Sequence, residues 1–173
     1  MNGRRAWMAG VGVCAAAAGA GLAWWRLKPG PSLSGAEAAF WGSAFPGVKG
    51  DSLSMAAFRG RPLLLNFWAT WCPPCVEELP LINRFHRDQV ARGWQVLGLA
   101  VDRAEPVQQF LNRLPLDFPV GLAGLAGTEL SRSLGNPSGA LPFSVVFGAD
   151  GQILHRKLGK LSAEDLAQWA QLG

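Results

Sequence analysis

The chain has 173 residues, 49% of them hydrophobic, which suffices for one substantial core and gives no reason for a second domain. Its net charge of +4 comes from Arg4, Arg5, Arg26 and Lys28; from Pro29 onward basic and acidic residues balance, 12 against 12. A neutral body without a basic run excludes a nucleic-acid footprint, and three cysteines, one of them close to the N-terminus, exclude a multi-disulfide scaffold.

Arg4 and Arg5 precede Ala6 to Trp25, 20 residues without a charge, and Arg26 and Lys28 follow. At about 1.5 Å per residue such a helix reaches about 30 Å, just enough to cross a bilayer core. An uncleaved anchor fits the length, with Trp7 and Trp24-Trp25 placed as interface belts. A cleaved signal peptide fits Ala18-Gly19-Ala20, an A-x-A site. The arginine pair also permits twin-arginine export, although no Ser precedes it. Lipidation of Cys14 is disfavoured by Val11-Gly12-Val13 and the short apolar stretch before it, so Cys14 reads as a small apolar helix residue. Each favoured reading leaves the N-terminus in the cytoplasm and exports the body. The expected organisation is therefore a signal-anchor or signal peptide over 1–28, a linker over 29–36, rich in Pro, Ser and Gly, and one domain over 37–173.

In the body, Glu37 to Trp41 reads as a helical turn, and Phe45 to Phe58 as a short strand or hairpin ending at Arg59-Gly60-Arg61-Pro62. Leu63 to Trp68 is an unalternating apolar run, as expected of a central strand covered on both faces. A helix starts at Pro73 or Pro74, where a missing N–H costs little, and runs to about Val90 with a kink expected at Pro80. Trp94 to Val101 is a second buried strand; Asp102 and Glu105 then start a helix over Pro106 to Leu114. Phe118 to Val120 reads as a third strand and Thr128 to Leu134 as a short helix, with no element assigned between Gly121 and Gly127. Phe143 to Phe147 and Gln152 to Lys157 are strands joined by the turn Gly148-Ala149-Asp150-Gly151, and Ser162 caps a last helix whose buried stripe is Leu166, Trp169 and Ala170. The order β-α-β-α-(β-α)-β-β-α implies an α/β fold, a mixed central sheet with helices on both faces.

Cys72 and Cys75, at the start of the long helix, are three residues apart and share a face, about 5–6 Å from each other, within reach of a reversible disulfide. Cys72 meets the positive end of the helix dipole, which favours a thiolate with a pKa of about 6 to 8 and makes it the exposed nucleophile. Cys75, one turn in and more buried, resolves the mixed disulfide. Glu78, three residues further on the same face, is placed to take the Cys75 proton; otherwise it is a solvent-facing helix glutamate beside Glu77. Trp71 beside Cys72 shapes a docking rim. His86 and His155 stand alone without ligand spacing to the cysteines, so neither a metal nor another cofactor is expected.

From about Phe45 to Leu166 the chain resembles the TlpA/ResA-like branch of exported thioredoxin-fold proteins, within the AhpC/TSA-redoxin superfamily. The resemblance rests on Leu63-Leu64-Leu65-Asn66-Phe67-Trp68-Ala69-Thr70-Trp71-Cys72-Pro73-Pro74-Cys75 with Glu78-Leu79-Pro80, on Val96 to Asp102, on Leu141-Pro142-Phe143 and on Asp150-Gly151-Gln152-Ile153. It implies a thioredoxin-like fold and a cis Pro142 facing the cysteines. It also implies a docking surface formed by Trp71, Pro73, Pro74, Leu141 and Pro142, and assigns Glu78 the proton-accepting role. Asn66 stands where cytosolic thioredoxins carry a buried aspartate. Two departures are Phe143-Ser144 in place of two threonines and Gly121-Leu122-Ala123-Gly124, which lacks the aspartate common after the third strand.

The function this implies is a monomeric, exported disulfide reductase, fed by a membrane thiol donor and acting on cysteines of exported proteins such as apocytochrome c or copper-site proteins. Two alternatives stay open: a disulfide-forming oxidase of the same fold, and a copper-binding metallochaperone, against which the missing third ligand counts. A peroxidase is disfavoured because Ala69 stands three before Cys72, where peroxiredoxins carry Thr or Ser.

Overall fold

The structure is a computed structural model and describes residues 33–172; the leader and the first half of the linker expected from the sequence lie outside them. Ser34 opens α1 (Gly35–Trp41) through a capping box with Glu37. A small antiparallel hairpin follows, β1 (Ala44–Pro46) and β2 (Ser52–Ser54), then a 3-10 turn over Met55–Phe58. Next come β3 (Leu63–Trp68), α2 (Pro73–Gln89), β4 (Gln95–Ala100), α3 (Ala104–Arg113), β5 (Val120–Leu122) and α4 (Ala126–Ser133). The domain closes with β6 (Phe143–Phe147), β7 (Ile153–Leu158) and α5 (Ala163–Trp169), whose cap is Ser162.

The main sheet has the order β5-β4-β3-β6-β7. β3, β4 and β5 are parallel, β6 runs antiparallel to β3, and β7 antiparallel to β6. This is the mixed sheet expected of a thioredoxin-like fold. Every residue of β3, β4 and β6 is buried, which is why these strands read as unbroken apolar runs instead of alternating ones. Alternate β3 residues serve opposite faces. Leu64 and Trp68 join the core beneath α2, α3 and α5, with Leu79, Ile82, Phe110 and Trp169. Leu63, Leu65 and Phe67 join the core beneath α1, with Phe40, Trp41 and Phe147.

Several boundaries differ from the sequence expectation; α1 and α4 each start two residues early, at Gly35 and Ala126. β5 lies two residues later than Phe118 to Val120, and the added strand residue Gly121 packs so tightly that a Cβ would come within 2.9 Å of Leu99. α3 starts at Ala104, two residues early, and its N-cap residue is Arg103, whose side chain makes no capping bond; Asp102 precedes it and accepts the Arg103 N–H through Oδ1. α2 continues through Pro80, whose ring is exposed at the helix surface.

α1 is tied to the far sheet edge by two buried groups. Glu37 accepts the Ile153 N–H at 2.7 Å, and Trp41 Nε1 donates to the Gly151 carbonyl at 2.7 Å. The Trp41 ring packs edge-on against Phe40 and Phe147, and Gly151, at φ +86°, leaves room for it. Loss of this aromatic cluster and its hydrogen bond is expected to be costly: Trp41→Ala should lower unfolding free energy by about 3–5 kcal/mol, read from urea midpoints, with Trp41→Phe costing about 1 kcal/mol for the hydrogen bond alone.

Candidate functional site

The site lies at the carboxyl ends of the parallel strands, where loops from β3 and β4 meet the start of β6. β3 ends at Trp68, and the chain turns through Ala69 to Trp71 before Cys72 becomes the N-cap residue of α2. Pro73 and Pro74 fill the first helical positions, so the first backbone donor the helix offers a Cys72 thiolate is the N–H of Cys75. Cys72 and Cys75 form a disulfide with Cα atoms 5.3 Å apart. Neither sulfur is freely exposed: Cys72 is 5% accessible and Cys75 is 0%. Cys72 is less open than a thiol at a helix tip suggests, because it is tucked over the turn, its N–H donating to Ala69 O. It still holds all the access that the pair has, so an incoming thiolate reaches its sulfur first.

The rim residues differ in character. Trp71 is 66% exposed, unusual for so large a ring, and Pro73 and Pro74 are exposed beside it. Leu141 is half-buried and Pro142 buried, joined by a cis peptide bond immediately before β6, in which Phe143 pairs with Phe67 of β3.

Glu78 lies one helical turn beyond Cys75 and is fully buried, the only Asp or Glu among the described residues without any exposure. Oε1 accepts from Asn66 Nδ2 at 2.7 Å, and Oε2 accepts from the Leu161 N–H at 2.6 Å. Burial pushes its carboxyl above the usual glutamate range, and the two hydrogen bonds, with Lys160 and Lys157 nearby, offset only part of that. A buried carboxyl with a raised pKa, one helical turn from a buried cysteine, is suited to taking a proton from it. The solvent-facing alternative is excluded by its burial; Glu77, its neighbour, is the exposed one and pairs with Lys160 at 2.7 Å.

Asp102, read from the sequence as a helix start, also clamps the approach to the cysteines. Its Oδ2 accepts both the Thr70 N–H, at 3.0 Å, and the Thr70 hydroxyl, at 2.6 Å. The register pairs Trp68 with Ala100, so Thr70 and Asp102 are each two residues past the ends of adjacent strands, a correspondence available only once the pairing is known. Ser144 is a second contributor that sequence reasoning misses: it pairs with Asn66 across β3 and β6 and accepts from Nδ2 at 2.9 Å. The signals available for Asn66 and Ser144 are a lone polar residue inside an apolar run and, through the resemblance, a departure from the residue expected at each position.

His86 and His155 lie apart from the cysteines, against Phe118 and Trp169 respectively. Among the described residues no group of three or more His, Cys, Asp or Glu could hold a metal ion, and no helix is long and apolar enough to cross a membrane.

Comparison with known proteins gives a consistent picture. The Redoxin family model matches residues 31–171. The thiol-disulfide oxidoreductase ResA of Bacillus cereus (strain ZK / E33L) is 30% identical over 126 residues, 72% of this chain and 70% of the relative. Among solved structures, a thiol:disulfide interchange protein of the thioredoxin family from Chlorobium tepidum TLS aligns with TM-score 0.65 at 28% identity, covering 76% of this chain and 93% of that one. StoA from Bacillus subtilis aligns with TM-score 0.60 at 25% identity, covering 73% and 94%.

The raised pKa of Glu78 gives a signed expectation. Its folded form binds a proton more tightly than the unfolded chain, so its contribution to stability is full below the ordinary glutamate value of 4.5 and is lost as pH rises through the folded pKa. The stability of the oxidised protein minus that of Glu78→Gln, from urea unfolding, should therefore fall with rising pH above that value. The fall amounts to about 1.4 kcal/mol for every tenfold by which folding tightens proton binding. A difference that grows with pH contradicts the raised pKa.

Proposed function

Since the chain belongs to the redoxin family and is a thiol-disulfide oxidoreductase of the thioredoxin fold, we propose that it works as an exported disulfide reductase on cysteines of other exported proteins. The observation that carries the reading is the pairing of one barely accessible disulfide at a helix start with a fully buried carboxyl one turn on. In the reduced protein the Cys72 thiolate attacks a client disulfide, one client sulfur leaves, and a Cys72–client mixed disulfide forms. Cys75 then gives its proton to Glu78, and its thiolate attacks Cys72 Sγ. The Cys72–client bond breaks, the client leaves with its electron pair as a second thiolate, and the Cys72–Cys75 disulfide remains. Two electrons pass to the client.

Trp71, Pro73, Pro74, Leu141 and Pro142 form the surface on which clients dock, with the Trp71 ring as its exposed apolar element. Asp102, through Thr70, fixes the turn that presents Trp71 and Cys72. Residues 1–28 export the body as an anchor or a cleaved signal, and the linker tethers it; Gly35 and Ala36, the last two residues of the expected linker 29–36, belong to α1. On this reading the protein acts as a monomer at the outer face of a bacterial cytoplasmic membrane or in the periplasm. A membrane thiol donor re-reduces it, and no bound cofactor is used beyond the Cys72–Cys75 pair. Apocytochrome c and copper-site proteins are the proposed clients.

Cys72→Ser should abolish insulin reduction, and Cys75→Ser should accumulate mixed disulfides that identify clients when captured in native cells. Full insulin reduction by Cys72→Ser contradicts the reading. Equilibration with glutathione separates direction: a potential near about −220 to −270 mV supports a reductase, whereas one near about −120 mV supports the oxidase. Tight, stoichiometric copper uptake would favour the metallochaperone.

A further inference from the structure

Asn66 lies at the centre of β3, fully buried, facing α2. Its carboxamide is satisfied at one end only. Nδ2 donates to Glu78 Oε1 at 2.7 Å and to Ser144 Oγ at 2.9 Å, while Oδ1, equally buried, meets no donor. A buried acceptor without a donor is a standing cost that sequence choice ordinarily removes.

The arrangement suits one protonation state of its neighbour. Both Glu78 oxygens accept, from Asn66 Nδ2 and from the Leu161 N–H, as a carboxylate requires. A protonated Glu78 must donate, yet both of these partners are donors too. The acceptor it needs is the other end of the Asn66 amide.

We propose that Asn66 is a proton-linked positioning residue, its amide turning by half a revolution about Cβ–Cγ each time Glu78 gains or loses a proton. The turn exchanges Oδ1 and Nδ2, so the separations of 2.7 Å and 2.9 Å serve both states. With Glu78 ionised, Nδ2 donates to the carboxylate and to Ser144. With Glu78 protonated, Oδ1 accepts the Glu78 O–H and the Ser144 O–H. A hydroxyl both donates and accepts, so Ser144 follows the turn without moving, and the terminal torsion of asparagine is broad enough to permit it. One amide end is unpartnered in each state, so that cost cancels between them.

The inference rests on the reading of Glu78 as the acceptor of the Cys75 proton. In that step a proton passes from Cys75 Sγ to a Glu78 oxygen and no electrons change owner; the turned amide then binds the acid and keeps the proton from returning to sulfur. The charged groups facing this region are Lys160, paired with Glu77, and Lys157, paired with Asp165. They bias Glu78 toward the carboxylate, whereas Asn66 gives both states a hydrogen-bonded form.

The test is a pH titration of the oxidised full-length protein, labelled with 13C and 15N at Asn and Glu and followed by NMR. The expected result is that both Asn66 Nδ2 protons move upfield to unbonded positions as the Glu78 carboxylate is protonated, followed through its Cδ signal, with one common midpoint, while Asn66 Cγ moves downfield. Ser144→Thr should keep the full movement, and Ser144→Ala should leave only one of the two protons moving. Asn66 protons that hold their hydrogen-bonded positions through the Glu78 titration overturn the proposal, as does the same movement in Glu78→Gln. Insulin reduction by the unsubstituted protein is scored separately: its absence removes the catalytic reading of Glu78 and leaves the amide turn to be decided by the NMR signals.

Discussion

The rest of the site depends on the burial of one carboxyl. Glu78 carries an acid into a core where an unpartnered charge would be prohibitive, and the fold answers with donors from separate parts of the chain. Asn66 comes from the central strand, and Leu161 from the loop between β7 and α5. That loop is itself held, since Gly159 N donates to Pro142 O and Lys160 pairs with Glu77. The segment that covers Glu78 is thus bonded to the cis proline and to the active-site helix. Positioning the acid and positioning the cis proline are one structural problem.

A second constraint acts on the other side of the cysteines. The turn from β3 to α2 has no regular structure to hold it, yet it presents Trp71 and Cys72. Asp102 supplies the missing restraint by taking two hydrogen bonds from Thr70, making a link between adjacent strand ends that local propensity does not encode. The same aspartate also reaches the start of α3, its Oδ1 accepting the N–H of the N-cap residue Arg103 at 2.7 Å. One residue thus ties the turn before the cysteines to the start of the next helix.

Much of the fold is legible in the sequence because its signals are local. Leu63 to Trp68 and Phe143 to Phe147 read as strands from unbroken apolar character, and the hairpin between β6 and β7 from its Gly-Ala-Asp-Gly turn. β5 escapes such reading because its short run, Val-Gly-Leu, has little character of its own and is defined by pairing with β4. Cys72, Cys75 and Glu78 are visible from helical spacing, which brings them to one face. The roles of Asp102 and Ser144 are not, because their contacts depend on strand register, and register is set by the packed sheet rather than by neighbours in sequence.

The central claim is that Glu78 takes the proton from Cys75 when the mixed disulfide is resolved. It is tested most directly by loading the Cys72 thiol with glutathione and following its release as a function of pH in the unsubstituted protein and in Glu78→Gln. The account predicts release about 100-fold slower in Glu78→Gln at neutral pH, within the usual range for a general base, with the two rates converging at alkaline pH, where Cys75 ionises unaided. Identical rates and identical pH profiles would contradict it.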